Sequence, residues 1–107
     1  MKTALQILID GRAVIALPEC WTQGVLARDV AGRGVSEHSP RAVCFCSRGA
    51  LNRTAMPTDW SRAFDSAFDA LNTEMEFDVI RFNDRSPHAE VLAAWDRAIV
   101  TCRGAAA

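Results

Sequence analysis

Four cysteines and two histidines could ligate a metal or supply a nucleophile and its base: Cys20, Cys44, Cys46, Cys102, His38 and His88. Zinc asks for four tetrahedral ligands, usually in two close pairs. Cys44-x-Cys46 is the one close cysteine pair. On the helix expected for that stretch, residues two apart point about 200° away from each other. No metal is therefore expected, and no cofactor is implied. A cysteine nucleophile needs a lowered pKa, a nearby base and partial exposure. Cys44 would lie in the first turns of that helix, aided by its dipole, with His88 as base and Asp84 or Glu90 to orient it. Nothing in the sequence brings His88 to Cys44, so a buried or idle thiol is the favoured reading.

A second constellation sets Arg28-Asp29 against Asn83-Asp84. A guanidinium fork can grip a carboxylate or phosphate, with amides and carboxylates around it. Together with His88, these residues form the candidate ligand site: Arg28, Asp29, Asn83, Asp84 and His88. The plainer reading of the same residues is local. Asp29 would start the turn before Gly32, Asn83 and Asp84 would brace the turn before the last helix, and Arg28 would pair with one of them. That reading is the favoured one. Arg28, Arg33, Arg41, Arg48 and Arg53 crowd the middle of the chain, where solvated surface is the better reading. The sequence holds no phosphate-binding glycine loop, no H-E-x-x-H and no serine-nucleophile elbow.

The elements that must position these residues are short. The chain has 107 residues, half of them hydrophobic, which supports one small domain with one core. Its net charge of -1 counts against nucleic acid as a partner. No apolar run approaches the roughly 20 residues needed to span a bilayer, so no membrane partner is expected. The apolar stretch Leu5–Leu17 is interrupted by Asp10 and Arg12, a poor export signal, and the expected location is cytoplasmic. Free thiols follow from that.

Residues 3–17 fit either a helical face or a hairpin turning at Asp10-Gly11. Pro18 ends the segment in both cases. Trp21–Asp29 then combines an aromatic anchor, the pliant Gly24 and an opposite-charge pair. Gly24–Val35 is expected as a small hairpin or irregular loop around Gly32-Arg33-Gly34. Ser39-Pro40 predicts a helix from Pro40 to about Thr54, burying Val43, Cys46 or Ser47, and Ala50, with Gly49 admitting a tryptophan against its backbone. Thr58 caps a further helix from Asp59 to about Met75, with the apolar stripe Trp60, Phe64, Phe68, Leu71 and Met75. Phe77–Phe82 reads as a connector of at most one helical turn, and Asn83-Asp84-Arg85 as a polar turn. Ser86-Pro87 opens the last helix, to about Cys102, burying Val91, Trp95, Ala98 or Ile99, and Cys102. Gly104 should stop it, leaving residues 103–107 as a frayed tail. Trp21, Trp60 and Trp95 are expected as core anchors.

Several of these stretches form a set. Trp21-x-x-Gly24-x-x-Ala27-Arg28-Asp29 is followed by Ala42–Cys46 leading into Gly49-Ala50-Leu51, then Asn83-Asp84, then His88-Ala89-Glu90-Val91-Leu92 with Asp96-Arg97-Ala98. From about Arg12 to Ile99, this set resembles a family of small bacterial and phage proteins of unknown function. Phe82 stands where such sequences often carry tryptophan. The resemblance brings no activity with it. It implies that the segment before Trp21 is a helix ending at Pro18-Glu19.

The expected fold is mostly α: a compact bundle of about four helices with a short hairpin-like segment after the first. The alternative is α+β, with residues 4–16 as a second hairpin. The favoured function is a non-enzymatic binding or regulatory module, in keeping with the phage link of the resembling family. Its partner would be an unidentified protein or small molecule, and self-association stays open. The alternative is a small enzyme with a polar pocket around Arg28, Asp29, Asp84 and His88.

Overall fold

The architecture comes from a computed structural model, in which residues 2–55 and 62–106 are described. Five α-helices stand among them where about four were expected: α1 (Ala4–Val14), α2 (Ser47–Thr54), α3 (Arg62–Glu74), α4 (Val79–Arg85) and α5 (His88–Ala106). A 3₁₀ turn spans Pro18–Cys20. Three two-residue strands, β1 (Ala27–Arg28), β2 (Gly34–Val35) and β3 (Cys44–Phe45), form a small antiparallel sheet in the order β2-β1-β3. The protein is therefore mostly helical with one small sheet.

Residues 4–14 are helical, which removes the second hairpin of the α+β alternative. Thr3 caps α1 by accepting from the Gln6 N–H at 3.1 Å. Ile7 and Leu8 face the core, and Gly11 is buried on the same side. A Cβ on Gly11 would stand 2.7 and 2.8 Å from ring atoms of Trp95. The glycine thus serves the packing of a fully buried indole, not a hairpin turn.

The expected hairpin after Trp21 is present, pairing Ala27 with Val35 and Arg28 with Gly34. Its other edge accounts for a correction. Residues 40–46 do not begin a helix. Ala27 also pairs with Phe45, and Arg28 with Cys44, so the open edge of β1 recruits this segment as a strand. The Cys46 N–H donates to Leu26 O at 3.1 Å and the Val43 N–H to Arg28 O at 2.9 Å. Local propensity for a helix yields to these cross-strand bonds. Ser39 closes only a turn, accepting from the Arg41 N–H at 3.1 Å on its hydroxyl. The cap of α2 is Cys46, whose Sγ accepts from the Gly49 N–H at 3.4 Å. Val43, expected inside, is 49% exposed. Gly49 does admit a close neighbour, but that neighbour is the Leu26 backbone: a Cβ there would fall 2.0 Å from Leu26 O.

The α3 stripe appears as expected over the described residues, with Leu71 and Met75 fully buried and Phe64 and Phe68 packed against the core. Thr58, Asp59 and Trp60, the expected cap, start and first stripe residue, lie outside the described residues. The helix ends without glycine. Glu76 and Phe77 both take positive φ, 60° and 63°, and the Phe77 N–H reaches back to Asn72 O at 2.8 Å. Asn83-Asp84-Arg85 is not a turn. It is the last turn of α4, which Asp78 caps by accepting from the Arg81 N–H at 3.0 Å. In α5, Val91, Trp95, Ala98 and Ile99 are buried, while Cys102 is only partly so. Gly104 does not stop this helix, which continues to Ala106; Ala107 lies outside the described residues.

α1 packs against α2, α3 and α5, and α3 packs on α5. The core lies between them and the inner side of the sheet, with Ile7, Leu8, Leu51, Leu71, Val91 and Trp95 at its centre and Ala27 and Phe45 at its margin. α4 crosses one end, against α2 and α5.

Candidate functional site

The segment Trp21–Gly24 is the centre of the polar structure. Four of the five candidate residues converge on it, each in a particular way. Asn83, fully buried on α4, is the hub. Its side-chain oxygen accepts from Trp21 Nε1 at 2.8 Å, the Ser47 N–H at 3.0 Å and the Ser47 hydroxyl at 2.9 Å. Its amide nitrogen donates to Thr22 O at 3.0 Å. The orientation of the amide is decided by chemistry, because an indole N–H and a backbone N–H can only donate. Trp95 Nε1 in turn donates to Ser47 Oγ at 3.1 Å. Two indoles from opposite ends of the chain are thus joined through one serine and one asparagine.

Asp84 follows on the exposed side of α4, accepting from the Gly24 N–H at 2.9 Å. Arg28 uses its guanidinium on three neighbours: Thr22 Oγ1 at 2.9 Å, Gln23 O at 3.0 Å and Gly32 O at 3.0 Å. The expected pairing of Arg28 with Asn83 or Asp84 is not made, because the turns on either side of β1 offer these acceptors first. His88 stacks obliquely on Trp21, with ring centroids 5.2 Å apart, and its Nε2 lies 2.7 Å from Ile15 O. A carbonyl can only accept, so Nε2 carries the hydrogen. Asp29 stands apart from the other four. It closes the β1–β2 turn, accepting from the Ala31 and Arg33 N–H groups at 3.0 and 2.9 Å.

The cysteine expectations change with the fold. Cys44 lies in β3, two residues before the cap of α2 and not in the first turns of a helix. Cys46 is the thiol at a helix start, and it is 3% exposed. Burial pushes its pKa up, the backbone N–H groups of Gly49 and Arg48 oppose the rise, and the charges of Asp84 and Glu37 add to it. A thiol held neutral is a poor nucleophile. Among the described residues no group of three or more His, Cys, Asp or Glu could hold a metal ion.

A family model matches residues 1–101. The chain belongs to DUF6197, a family of unknown function. Its resemblance to a family of unknown function holds at that level. No curated protein and no solved structure matches it.

Two depressions flank α4, and sequence reasoning missed both. The larger, about 380 Å³, is lined by Met75, Glu76, Phe77, Asp78, Arg81, Phe82 and Arg85. Most of its charge is compensated within it: Glu76 pairs with Arg85, and Asp78 caps α4. The smaller, about 140 Å³, is lined by Gly24, Val25, Leu26, Cys46, Ile80 and Asp84. Here Asp84 is the only acidic or basic side chain among the described residues. Phe77 and Ile80 bring apolar surface to this end of the molecule, 73% and 52% exposed. Neither signal is visible in the sequence, where Phe77–Phe82 reads only as a short apolar connector.

Proposed function

We propose that this protein is a non-enzymatic binding module whose contact face is Phe77 and the outer side of α4, with the adjoining Gly24–Leu26 segment. One observation carries the reading: Phe77 is a bulky residue at φ 63° with most of its side chain in solvent. A bulky non-glycine residue in the left-handed region is a backbone outlier, and such strain concentrates at functional sites. The bond from its N–H to Asn72 O closes α3 but would serve a glycine as well, so nothing inside the molecule accounts for an exposed phenylalanine here. Contact with a partner would. The enzyme alternative draws less support, because Arg28, Asn83 and His88 direct their polar atoms at the chain's own backbone and at Ser47 and Trp21. No helix of the described residues is long and apolar enough to cross a membrane.

The reading is tested by a photo-crosslinking phenylalanine analogue placed at position 77, and separately at Val30, an exposed control at 92%. In the cell that makes the protein, position 77 should yield one discrete adduct and position 30 none. Adducts of the same pattern from both positions, or none from 77, overturn it. An adduct of twice the chain mass would identify a second copy as the partner. Independently, Phe77→Gly should raise stability by about 1 kcal/mol in urea unfolding, since glycine adopts this φ without strain. A loss of stability would mean that Phe77 is retained for folding instead.

A further inference from the structure

The small depression beside Asp84 has a shape and chemistry that select among partners, and the inference drawn from it rests on the binding-module reading. Its volume of about 140 Å³ is too small for a typical small-molecule site of about 300–1,000 Å³. It is close to the roughly 150 Å³ that holds one benzene-sized group. One inserted side chain is therefore the fitting occupant. The walls are aliphatic, from Val25, Leu26 and Ile80, and the Cys46 thiol contributes an uncharged surface behind them. The one charge on the lining is the Asp84 carboxylate, one helical turn from Ile80 on α4.

That carboxylate is fixed in place. Its Oδ1 accepts from the Gly24 N–H at 2.9 Å and from Asn83 Nδ2 at 3.4 Å. Asn83 is itself held by Trp21, Ser47 and Thr22. Gly24 can present its N–H there because its φ of 85° suits glycine. The second oxygen, Oδ2, makes no hydrogen bond among the described residues and Asp84 is exposed. The result is an aliphatic slot with an oriented, available anion on its rim. A side chain with an apolar stem and a cationic tip matches both parts at once, burying the stem and pairing the tip.

Oδ1 of Asp84 is already taken up by Gly24 and Asn83, so the carboxylate offers one oxygen. One oxygen satisfies an ammonium and not a two-pronged guanidinium. We infer that the slot formed by Val25, Leu26 and Ile80 with Asp84 receives a lysine side chain of the partner protein. The chain's own cations around this place are engaged elsewhere: Arg28, whose Nη2 lies close to Gly24, donates to Thr22, Gln23 and Gly32. Arg85 is paired with Glu76, and Arg81 lines the other depression.

The test uses the full chain, ¹⁵N-labelled, titrated with three probes: a blocked lysine peptide, the same peptide with norleucine in place of lysine, and butylamine. Norleucine keeps the stem and removes the ammonium. The lysine peptide should shift the Gly24, Leu26 and Ile80 amides saturably, and bind about fivefold more tightly than norleucine, the upper range for a solvent-exposed ion pair. Asp84→Asn keeps an oxygen to accept from Gly24 while losing the charge, so the variant should fold and should bind both peptides equally. The inference is overturned if lysine binds no better than norleucine, if no saturable shift appears at these amides, or if Asp84→Asn leaves the preference intact. Butylamine binding more tightly than the lysine peptide would assign the slot to a free alkylamine and overturn the protein partner. The two readings fail separately. Loss of the lysine preference while position 77 still captures one partner removes this inference alone. Absence of any adduct at position 77 removes the binding-module reading itself.

Discussion

Replacing Asn83 by aspartate changes one atom in the hub and reverses its role toward Thr22. The side-chain oxygen can still accept from Trp21 and Ser47, but an acceptor now faces the Thr22 carbonyl where the amide donated. Burial, that carbonyl and the Asp84 carboxylate 3.4 Å from the replaced nitrogen together outweigh the donors on the other oxygen, so the introduced carboxyl's pKa in the folded protein lies above its unfolded value of about 3.9. The sign follows from linkage. The variant is nearest the parent below about pH 4, where the acid is protonated in both states, and falls away as pH rises through the folded pKa. Urea unfolding of both proteins from pH 3.5 to 7.5 should show the gap widening to about 2–3 kcal/mol. A gap that is flat with pH would place the carboxyl in contact with water. Cys46 gives a second prediction at this scale. Because burial raises its pKa and closes it off, alkylation by iodoacetamide at pH 7.5 should modify Cys20, Cys44 and Cys102 first. Mass spectrometry of the partly modified protein that finds Cys46 among the fastest would contradict the arrangement.

Among the elements, two glycines seat their helices against neighbours of different rigidity. Gly11 of α1 lies under the Trp95 ring, and Gly49 of α2 lies against the Leu26 carbonyl. Alanine at position 11 would gain about 1 kcal/mol of helix propensity but must displace an indole by a few tenths of an ångström. The ring is hydrogen-bonded to Ser47 and fully buried, so a net loss of about 1–2 kcal/mol is expected. Alanine at position 49 meets backbone at 2.0 Å and would separate α2 from β1, costing at least about 3 kcal/mol. Thermal melts should rank parent, Gly11→Ala and Gly49→Ala in that order of stability. The same contrast shows what was legible beforehand. α3 and α5 could be read because an apolar stripe repeats over three or four turns, and the helix period is a local property. β3 and α4 could not. Cys44-Phe45 is a strand only because β1 has an open edge to fill, and Asn83 is interior only because two indoles and a serine arrive there from elsewhere. The gathering of Arg28, Asn83, Asp84 and His88 was legible as a list of residues. Its form, a clamp on Trp21–Gly24, depended on contacts between distant parts of the chain.

At the scale of the molecule, two carboxylates connect parts that the core does not reach, and both are held below their ordinary range. Burial works to raise the Asp10 pKa, but hydrogen bonds from Lys2 and Gln6 and the charge of Lys2 outweigh it. Burial likewise works to raise Glu37, and bonds from Asn52, its own backbone and Ser36, with the charge of His38, prevail. Asp10 thereby ties the start of the chain to α1, with Lys2 Nζ 3.0 Å away. Glu37 ties the loop before β3 to α2, accepting from Asn52 Nδ2 at 2.8 Å while Arg53 donates to the Glu37 and Ser39 carbonyls at 3.0 Å. A carboxyl with a lowered folded pKa stabilises above its unfolded pKa, and the contribution is lost as pH falls through the folded value. For both groups that loss sets in below about pH 4. Each is partly solvated, so each contribution stays under about 1 kcal/mol. Glu37→Gln keeps an oxygen for Asn52 and removes the titration. The variant should therefore be less stable than the parent at pH 7, and the difference should shrink toward zero by about pH 3. Asp10→Asn should behave the same way, and the double variant should show the sum, since the two sites share no partner. Unfolding midpoints for the four proteins at pH 7, 5 and 3 decide the matter. A difference that persists unchanged at pH 3 would mean that the loop and the chain start are held by something other than these two charges.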